Sequence, residues 1–277
     1  MERSTTIHDV WSVPRSVGQK LQLQRYADVV QTLAKRNLKT RYRGSILGIY
    51  WSLSNPILMT LLYSAIFGSA FAASYDNSIV SYGLSCFCGL ALMNFFIQAS
   101  SQALPSIVGS GGLLNKIRLP VSVFPLSVIA ANVFQLTIGT LPFLAIITLA
   151  TSKSAVNVVA LAVPMCGLIM LTAAFGLIMS ALYVFFRDVQ YLYELFGFVL
   201  FLTSPIFYPI ELVPPQLRPV VGLNPLAMII SSVRDIAISG NSPHLHLMLL
   251  SFGSGFAALA VGIVFFLSVK SDFMDLL

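Results

Sequence analysis

Charged residues are scarce in this 277-residue chain. Only 9% of its residues are charged, whereas about a quarter are charged in a typical soluble domain. The hydrophobic share is 57% and the mean hydropathy is +0.85. A soluble protein of this length would need a charged surface that the sequence does not supply. We therefore predict an integral membrane protein with most of the chain in lipid.

Several functional motifs are also missing. The sequence has no G-x-x-x-x-G-K-[ST] loop to cradle nucleotide phosphates, so we expect no ATP site of that kind. The acidic residues are scattered singly, which disfavours a membrane-embedded enzyme, and we predict no catalytic residue. The polar residues 1–20 do not read as a cleaved signal peptide. Cys86, Cys88 and Cys166 lie in apolar stretches and are interpreted as buried side chains, with no metal site.

Basic residues are concentrated near the N-terminus. Nine of the sixteen Lys and Arg residues precede Gly48. A net charge of +6 could suggest a nucleic-acid partner. These residues flank the first apolar stretch, however, where anionic lipid headgroups and the rules of membrane orientation explain them better. We predict membrane lipids and no nucleic acid as partners.

The apolar stretches predict six membrane spans, at residues 49–73, 83–104, 121–150, 155–186, 189–208 and 244–269. With the N-terminus inside, thirteen basic residues fall on the cytoplasmic side and three outside. The positive-inside rule therefore predicts that both termini are cytoplasmic. The third and fourth spans are long, and Pro125, Pro142 and Pro164 are expected to kink them.

Two further segments are predicted to be helical. Residues 25–40 place Tyr26 and Val29 on one helical face, which is typical of an amphipathic helix in the membrane interface. An ordinary basic flank is the alternative. Residues 209–242 are too long for a turn and too apolar for a free loop, so we predict short re-entrant helices at the outer face. The predicted class is an all-α membrane protein with a cytoplasmic segment, 1–24, and a transmembrane domain, 25–277.

Residues 41–48 resemble the first-span entry of polysaccharide-export permeases, the membrane subunits of type-2 ABC exporters for O-antigen, capsule or teichoic acid chains. The resemblance continues through residues 114–120, 186–189, 204–209 and 224–225, in the family's order. It departs where Leu119, rather than an aromatic residue, precedes the proline.

The resemblance implies a division of labour between chains. Two copies of the permease would pair with two ATPase subunits, which bind ATP and Mg, while the permease itself holds no cofactor. The complex would move a lipid-linked glycan across the bacterial cytoplasmic (inner) membrane. The alternative is an ion- or proton-coupled carrier of a lipid or small amphiphile, a class that typically shows intramembrane charges and internal repeats. This sequence shows no clear repeat.

Two basic clusters are candidate sites on the cytoplasmic side. By resemblance, the turn between the second and third spans holds a coupling helix that contacts the ATPase. Its expected contacts are Leu113, Leu114, Lys116 and Arg118, and a solvated basic loop is the alternative. Arg41 and Arg43 are expected where lipid phosphates lie. A guanidinium binds phosphate through two parallel hydrogen bonds, although both arginines could simply anchor the topology.

An aromatic stripe is the candidate glycan path. Its residues recur every four positions on the first span and continue on the fifth: Tyr63, Phe67, Phe71, Tyr75, Phe201, Phe207 and Tyr208. Such spacing drifts slowly along one helical face. The alternative is helix packing or an interfacial belt.

Three charged residues near the start of the fifth span are interpreted as structural. Glu194 lies within the apolar stretch, and we expect an orienting ion pair with Arg187 or a polar lining rather than proton coupling. Arg187 and Asp188 are expected to cap the helix junction.

Overall fold

The computed structural model of the chain describes residues 15–114, 119–239, 243–270 and 273. Over these ranges the chain forms helices and loops and contains no β-strand, which confirms the predicted all-α class. The α-helices, in chain order, are α1 (Arg15–Arg41), α2 (Trp51–Phe71), α3 (Ile79–Ala103), α4 (Gly111–Leu114), α5 (Val123–Gln135), α6 (Leu141–Ser152), α7 (Ala155–Ala160), α8 (Ala162–Phe185), α9 (Val189–Thr203), α10 (Arg218–Gly222), α11 (Pro225–Ile238) and α12 (Leu245–Val269).

Five helical stretches are long and apolar enough to cross a membrane. They have 25 to 31 residues each, which exceeds the roughly 20 needed for a bilayer core. The stretches are Gly48–Ser74, Ile79–Ala103, Val123–Ser152, Ala155–Phe185 and Leu245–Val269. They coincide, to within about one turn, with five of the six predicted spans. The chain is therefore a multi-pass membrane protein.

The fifth predicted span, 189–208, differs from expectation. α9 has 15 residues and is about 22 Å long, less than a hydrocarbon core of about 30 Å. It ends because Ser204 precedes Pro205, and a residue before proline is driven out of the helical region, here to φ −88° and ψ 130°. The helix does not continue to residue 208, and the sixth crossing stays a prediction.

Both long spans are interrupted just before a proline. A π-helical segment, Leu136–Thr140, joins α5 to α6 ahead of Pro142. A turn at Leu161 separates α7 from α8 ahead of Pro164. Proline has no N–H to donate to the carbonyl four residues earlier, which favours a break or a kink in the helix. The irregularities lie next to two of the three prolines that were predicted to kink these spans; Pro125 lies in the first turn of α5, which continues as a regular helix.

α1 packs lengthwise along α5. The Tyr26 hydroxyl lies 3.0 Å from Ser122 Oγ, and Asn37 Nδ2 donates to Ser127 Oγ at 3.4 Å. Because both residue numbers rise together, the two helices run in the same direction. The predicted location of this helix in the membrane interface stays a prediction. The predicted apolar face of α1 is half-buried against α5.

A glycine elbow joins α1 to α2. Gly44 has φ +79° and Gly48 has φ +51°, in the left-handed region that residues with a Cβ rarely adopt. The chain then enters α2 through a short 3₁₀ turn, Gly48–Tyr50. The elbow therefore fixes how α2 leaves α1.

α3 is the centre of the core. Most side chains between Tyr82 and Ala103 are buried, and the helix packs against α2, α5, α8 and α11. Cys86 and Cys88 are buried there, as predicted. Cys166 is exposed on α8, so the prediction for it was wrong. An apolar helix at the periphery of a membrane bundle directs part of its side chains outward to lipid.

α11 is a short buried helix of the kind predicted between the fifth and last spans. Its 14 residues begin at Pro225, after Asn224, whose side-chain oxygen accepts from the backbone N–H of Leu226 at 3.0 Å. Asn at this position with Pro next to it is a strong helix start. α11 packs against α3, α6, α8 and α12. Residues 240–242 of the predicted segment lie outside the described residues.

α8 and α12 approach each other through their backbones. A Cβ on Gly255 would lie 2.3 Å from the carbonyl oxygen of Gly167, and one on Gly262 would lie 2.8 Å from the Cα of Ala174. Lipid tails are as apolar as side chains, so membrane helices associate through close van der Waals contact, which small residues permit. These glycines hold α8 and α12 together as a pair.

We predict that Gly255→Ala destabilises the protein by about 1–3 kcal/mol, because the added methyl group overpacks a backbone contact. Unfolding of the purified protein in detergent measures this. Gly253 lies on the same helix with no atom within 4 Å of a Cβ placed there. Gly253→Ala is therefore the control, and it should be neutral or up to about 1 kcal/mol more stable. Equal losses in both variants would contradict the packing argument.

Candidate functional site

A groove of about 480 Å³ opens between α2, α3 and α9. Most of its lining is apolar; the polar residues are Asn55, Asn94, Ser101 and Glu194, and the aromatic ones include Tyr63 and Phe201. Asn55 is in the second turn of α2, Ser101 in the last turn of α3, and Glu194 in the second turn of α9. These three lie at the end predicted to be cytoplasmic. The groove therefore runs from a polar end to an aromatic one.

The aromatic end is organised around Phe207. The Phe207 ring stacks on Tyr63 at a centroid distance of 5.1 Å and an interplanar angle of 8°, and on Phe201 at 5.8 Å. The ring of Tyr208 meets it edge-on at 5.1 Å, and Phe67 lies 6.4 Å away. Residues from α2, from α9 and from the bend after α9 thus meet at one point.

The cluster continues along α2 towards the predicted outer face. Phe71 stacks on Phe67 at 5.8 Å, and Tyr75 reaches the same group through Tyr82 of α3, at 5.4 Å. All seven aromatic residues predicted for a glycan path are therefore in one cluster, with Tyr82 as an eighth member. Sequence reasoning missed Tyr82 because it stands alone near the start of its span, with no neighbour at helical spacing. We call these eight residues the aromatic cluster.

Residues 204–209, which follow α9, form a bend held by side chains from other helices. The Tyr82 hydroxyl donates to the carbonyl oxygen of Phe207 at 2.7 Å. Asn224 Nδ2 donates to Ser204 Oγ at 2.9 Å, so one asparagine both caps α11 and fixes the bend. Irregular backbone at membrane depth is tolerated only when protein groups satisfy it. The bend is thereby tied to α3 and α11.

Arg41, predicted to meet lipid phosphates, lies in a polar network between helices. Its Nη1 donates to Asn132 Oδ1 and to Gln135 Oε1, each at 3.0 Å, and its Nη2 donates to Gln102 Oε1. The Tyr42 hydroxyl donates to Gln135 Oε1 at 2.5 Å. The end of α1 is therefore clamped to both α3 and α5.

The amide side chains of this network also bond to one another. Asn132 Nδ2 donates to Gln102 Oε1 at 2.9 Å, and Gln135 Nε2 donates to Gln98 Oε1 at 3.1 Å. Sequence reasoning missed these residues, although amides spaced four apart on α3 and three apart on α5 put two on one face of each helix. Every acceptor of Arg41 named above is a neutral amide. Over the described residues no carboxylate pairs with Arg41, so its positive charge is solvated by the amides but not neutralised.

A second cavity, of about 610 Å³, lies between α1, α4, α5 and the end of α3. The described lining includes Arg36 and Arg41 together with several hydroxyl and amide side chains, and it contains no carboxylate. Arg43 is exposed on the elbow and does not line this cavity. The two predicted arginines thus have different surroundings. The cavity has the chemistry of an anion site.

The predicted coupling residues are described in part. Leu113 and Leu114 form the end of α4, and Lys116 and Arg118 lie outside the described residues. Leu113 lines the second cavity. Leu114 packs against a buried cluster that includes Ile107, so its side chain stabilises the fold of this chain.

The three charged residues at the start of α9 do not pair as expected. In the described part of the chain no ion pair joins Glu194 to Arg187. The Arg187 guanidinium instead lies 5.2 Å from the centroid of the Tyr183 ring, a cation–π contact. Asp188 is the N-cap residue of α9, but its side chain accepts no capping hydrogen bond. Glu194 is exposed on the wall of the groove.

Comparison with known proteins places this geometry in a family context. A family model described as ABC-2 type transporter matches residues 28–238. The chain is 28% identical over 267 residues to a Klebsiella pneumoniae protein named O-antigen export system permease protein RfbA, covering 95% of this chain and 100% of that protein. A Myxococcus xanthus protein of the same name is 29% identical over 219 residues, covering 78% and 82% respectively.

Proposed function

Because this chain belongs to the ABC-2 type transporter family, we propose that it is the membrane permease of an ATP-driven exporter of O-antigen-type polysaccharide. The substrate class rests on the names of its relatives. The structural observation that carries the proposal is the groove between α2, α3 and α9, which ends in the aromatic cluster.

Stacked aromatic rings suit a moving sugar polymer. Their faces contact the C–H surfaces of sugar rings over a large area and need no fixed hydrogen-bond geometry. A polymer can therefore advance by one sugar without breaking a directional bond. The members of the cluster on α2 and α9 are half-buried in the single chain, so part of each ring surface is open to a ligand.

The second cavity is proposed as the entry site for the phosphate groups of a lipid-linked glycan. Arg41 uses both hydrogens of Nη1 and one of Nη2 on its amide partners. The Nε side of the guanidinium keeps donors for a phosphate, and Arg36 adds a second charge to the lining. Exposed Arg43 would meet the phosphate outside the cavity.

A second copy of the chain and two ATPase subunits are the proposed partners. About half of the residues of α2 are exposed on the single chain and few are fully buried, and α9 exposes large apolar side chains such as Leu195 and Phe198. Two copies facing each other across these helices would enclose the groove. ATP and Mg would be bound by the ATPase, which would seat the α4 segment.

The proposed location is the bacterial inner membrane, with both termini in the cytoplasm. The excess of basic residues on the cytoplasmic side supports this orientation. It requires an even number of crossings. Because α9 is too short to cross alone, α9 and the bend at 204–209 would together make one membrane crossing, with α11 packed against the bend.

Tyr63→Leu is expected to slow export roughly tenfold, a change of about 1.4 kcal/mol in the barrier, because it removes the ring that stacks on Phe207. The measurement is ATP-driven glycan uptake by vesicles containing the permease and its ATPase, normalised to folded permease. Phe256 is exposed on α12, away from the groove, and is outside the aromatic cluster, so Phe256→Leu should export within about twofold of the parent.

Two outcomes would count against this function. Equal losses in Tyr63→Leu and Phe256→Leu would assign the aromatic residues to general packing. Translocation by the permease alone, without ATPase or ATP, would favour an ion-coupled carrier.

Arg41→Lys and Arg43→Lys are expected to separate stability from transport. Arg41→Lys loses hydrogen bonds to three amide side chains and should lower the free energy of unfolding by about 1–3 kcal/mol. Arg43→Lys keeps the charge on an exposed side chain, so unfolding should change by less than about 0.5 kcal/mol. Export should nevertheless slow if Arg43 binds phosphate through its fork. Normal export by both variants would remove the phosphate role.

Gly111→Asp is expected to weaken ATPase binding roughly tenfold by placing an acid on the α4 segment. A Cβ at Gly111 meets no atom within 4 Å, so the unfolding midpoint should not change. Leu114→Asp should reduce both ATPase binding and stability, because Leu114 packs inward. Co-purification of the ATPase measures binding. Normal co-purification with Gly111→Asp would show that this segment does not contact the ATPase.

A further inference from the structure

Arg234 of α11 holds the bend that follows α9. Its Nη1 donates to the carbonyl oxygen of Pro205 at 2.5 Å, and its Nη2 donates to that of Ile206. Its Nε donates to the carbonyl oxygen of Ser85 in α3 at 3.1 Å. One guanidinium thus joins three parts of the chain that are far apart in sequence.

The charge of Arg234 is met by backbone dipoles. In the described part of the chain, the one ion pair joins His244 to Asp235, so no carboxylate pairs with Arg234. A half-buried charge without a counter-ion is costly in a membrane protein, and such residues generally have a role in function. An apolar side chain would fill the same volume but would leave two carbonyl groups of the bend unsatisfied.

Gly89 provides the space for this contact. A Cβ on Gly89 would lie 3.0 Å from Nη2 of Arg234 and 3.1 Å from Cγ2 of Ile206. Any side chain there would push the guanidinium away from the bend or the bend away from α3. Gly89 and Arg234 therefore act as a unit.

The residue after the held carbonyl groups is Phe207, the centre of the aromatic cluster. Its backbone carbonyl is fixed by Tyr82, and its ring stacks on Tyr63 and Phe201. We infer that Arg234 is a positioning residue that sets the Phe207 ring in the path of the polysaccharide. This inference rests on the proposed function of the aromatic cluster.

A double-mutant cycle between Arg234→Lys and Phe207→Ala tests whether one residue acts through the other. The complete transporter in vesicles is assayed for export per folded permease and for ATP hydrolysis. Lysine keeps the charge but cannot reach three carbonyl groups with one ammonium. We expect each single variant to export roughly fivefold more slowly with ATP hydrolysis retained, and the double variant to be no slower than Phe207→Ala.

Independent losses that multiply in the double variant would overturn the inference. A normal Phe207→Ala would overturn it too, and the proposed glycan path would still stand if Tyr63→Leu were slow. Normal export by Arg234→Lys, Phe207→Ala and Tyr63→Leu alike would instead reject the proposed glycan path itself. The surface control is Arg25→Lys, since Arg25 is exposed on α1 and should export normally.

Gly89→Ala provides the same test without changing the arginine. It should slow export as Arg234→Lys does, and combining it with Phe207→Ala should add no further loss. Gly89→Ala is the variant to use if the Arg234→Lys protein fails to accumulate in the membrane. A Gly89→Ala protein that accumulates and exports at the parent rate would contradict the inference.

Discussion

The absence of water around the middle of the bundle is the constraint on which this structure depends. Lipid offers no hydrogen bonds, so each place where the backbone leaves a regular helix needs protein groups to satisfy it. At the bend over 204–209, Tyr82 and Arg234 bind the exposed carbonyl groups. At the end of α1, Arg41 and Tyr42 satisfy amide side chains of α3 and α5 that lie between the helices. These hydrogen bonds also position the aromatic cluster and the arginine-lined cavity.

The features predicted correctly from the sequence are those that depend on local periodicity. An apolar stretch of about 20 residues identifies a span whatever its neighbours are. The four-residue spacing of Tyr63, Phe67 and Phe71 places them on one face because helical geometry is repetitive. Pro205 explains why α9 ends at Thr203, whereas the predicted span extends to residue 208. Five spans and most of the aromatic cluster were accessible in this way.

Contacts between distant segments could not be predicted from one sequence. Arg41 and Gln102 are separated by 61 positions, and nothing in either segment specifies the other. The expected pair of Arg187 and Glu194 relied on proximity in sequence. It fails because the Arg187 guanidinium lies against the ring of Tyr183 on α8 instead. The direction in which the fold turns each side chain, rather than the residue type, decides such pairings.

The glycine contact between α8 and α12 makes these two helices a rigid part of the molecule. Two helices whose backbones touch at Gly167 and Gly255 cannot slide past each other without a clash, so they behave as one rigid unit. α2 packs extensively against α3, whereas α9 makes fewer contacts, chiefly with α3 and α8. Of the three helices around the groove, α9 is thus the most loosely attached. Under the proposed glycan path, chains of differing width would be accommodated by movement of α9 against this fixed frame.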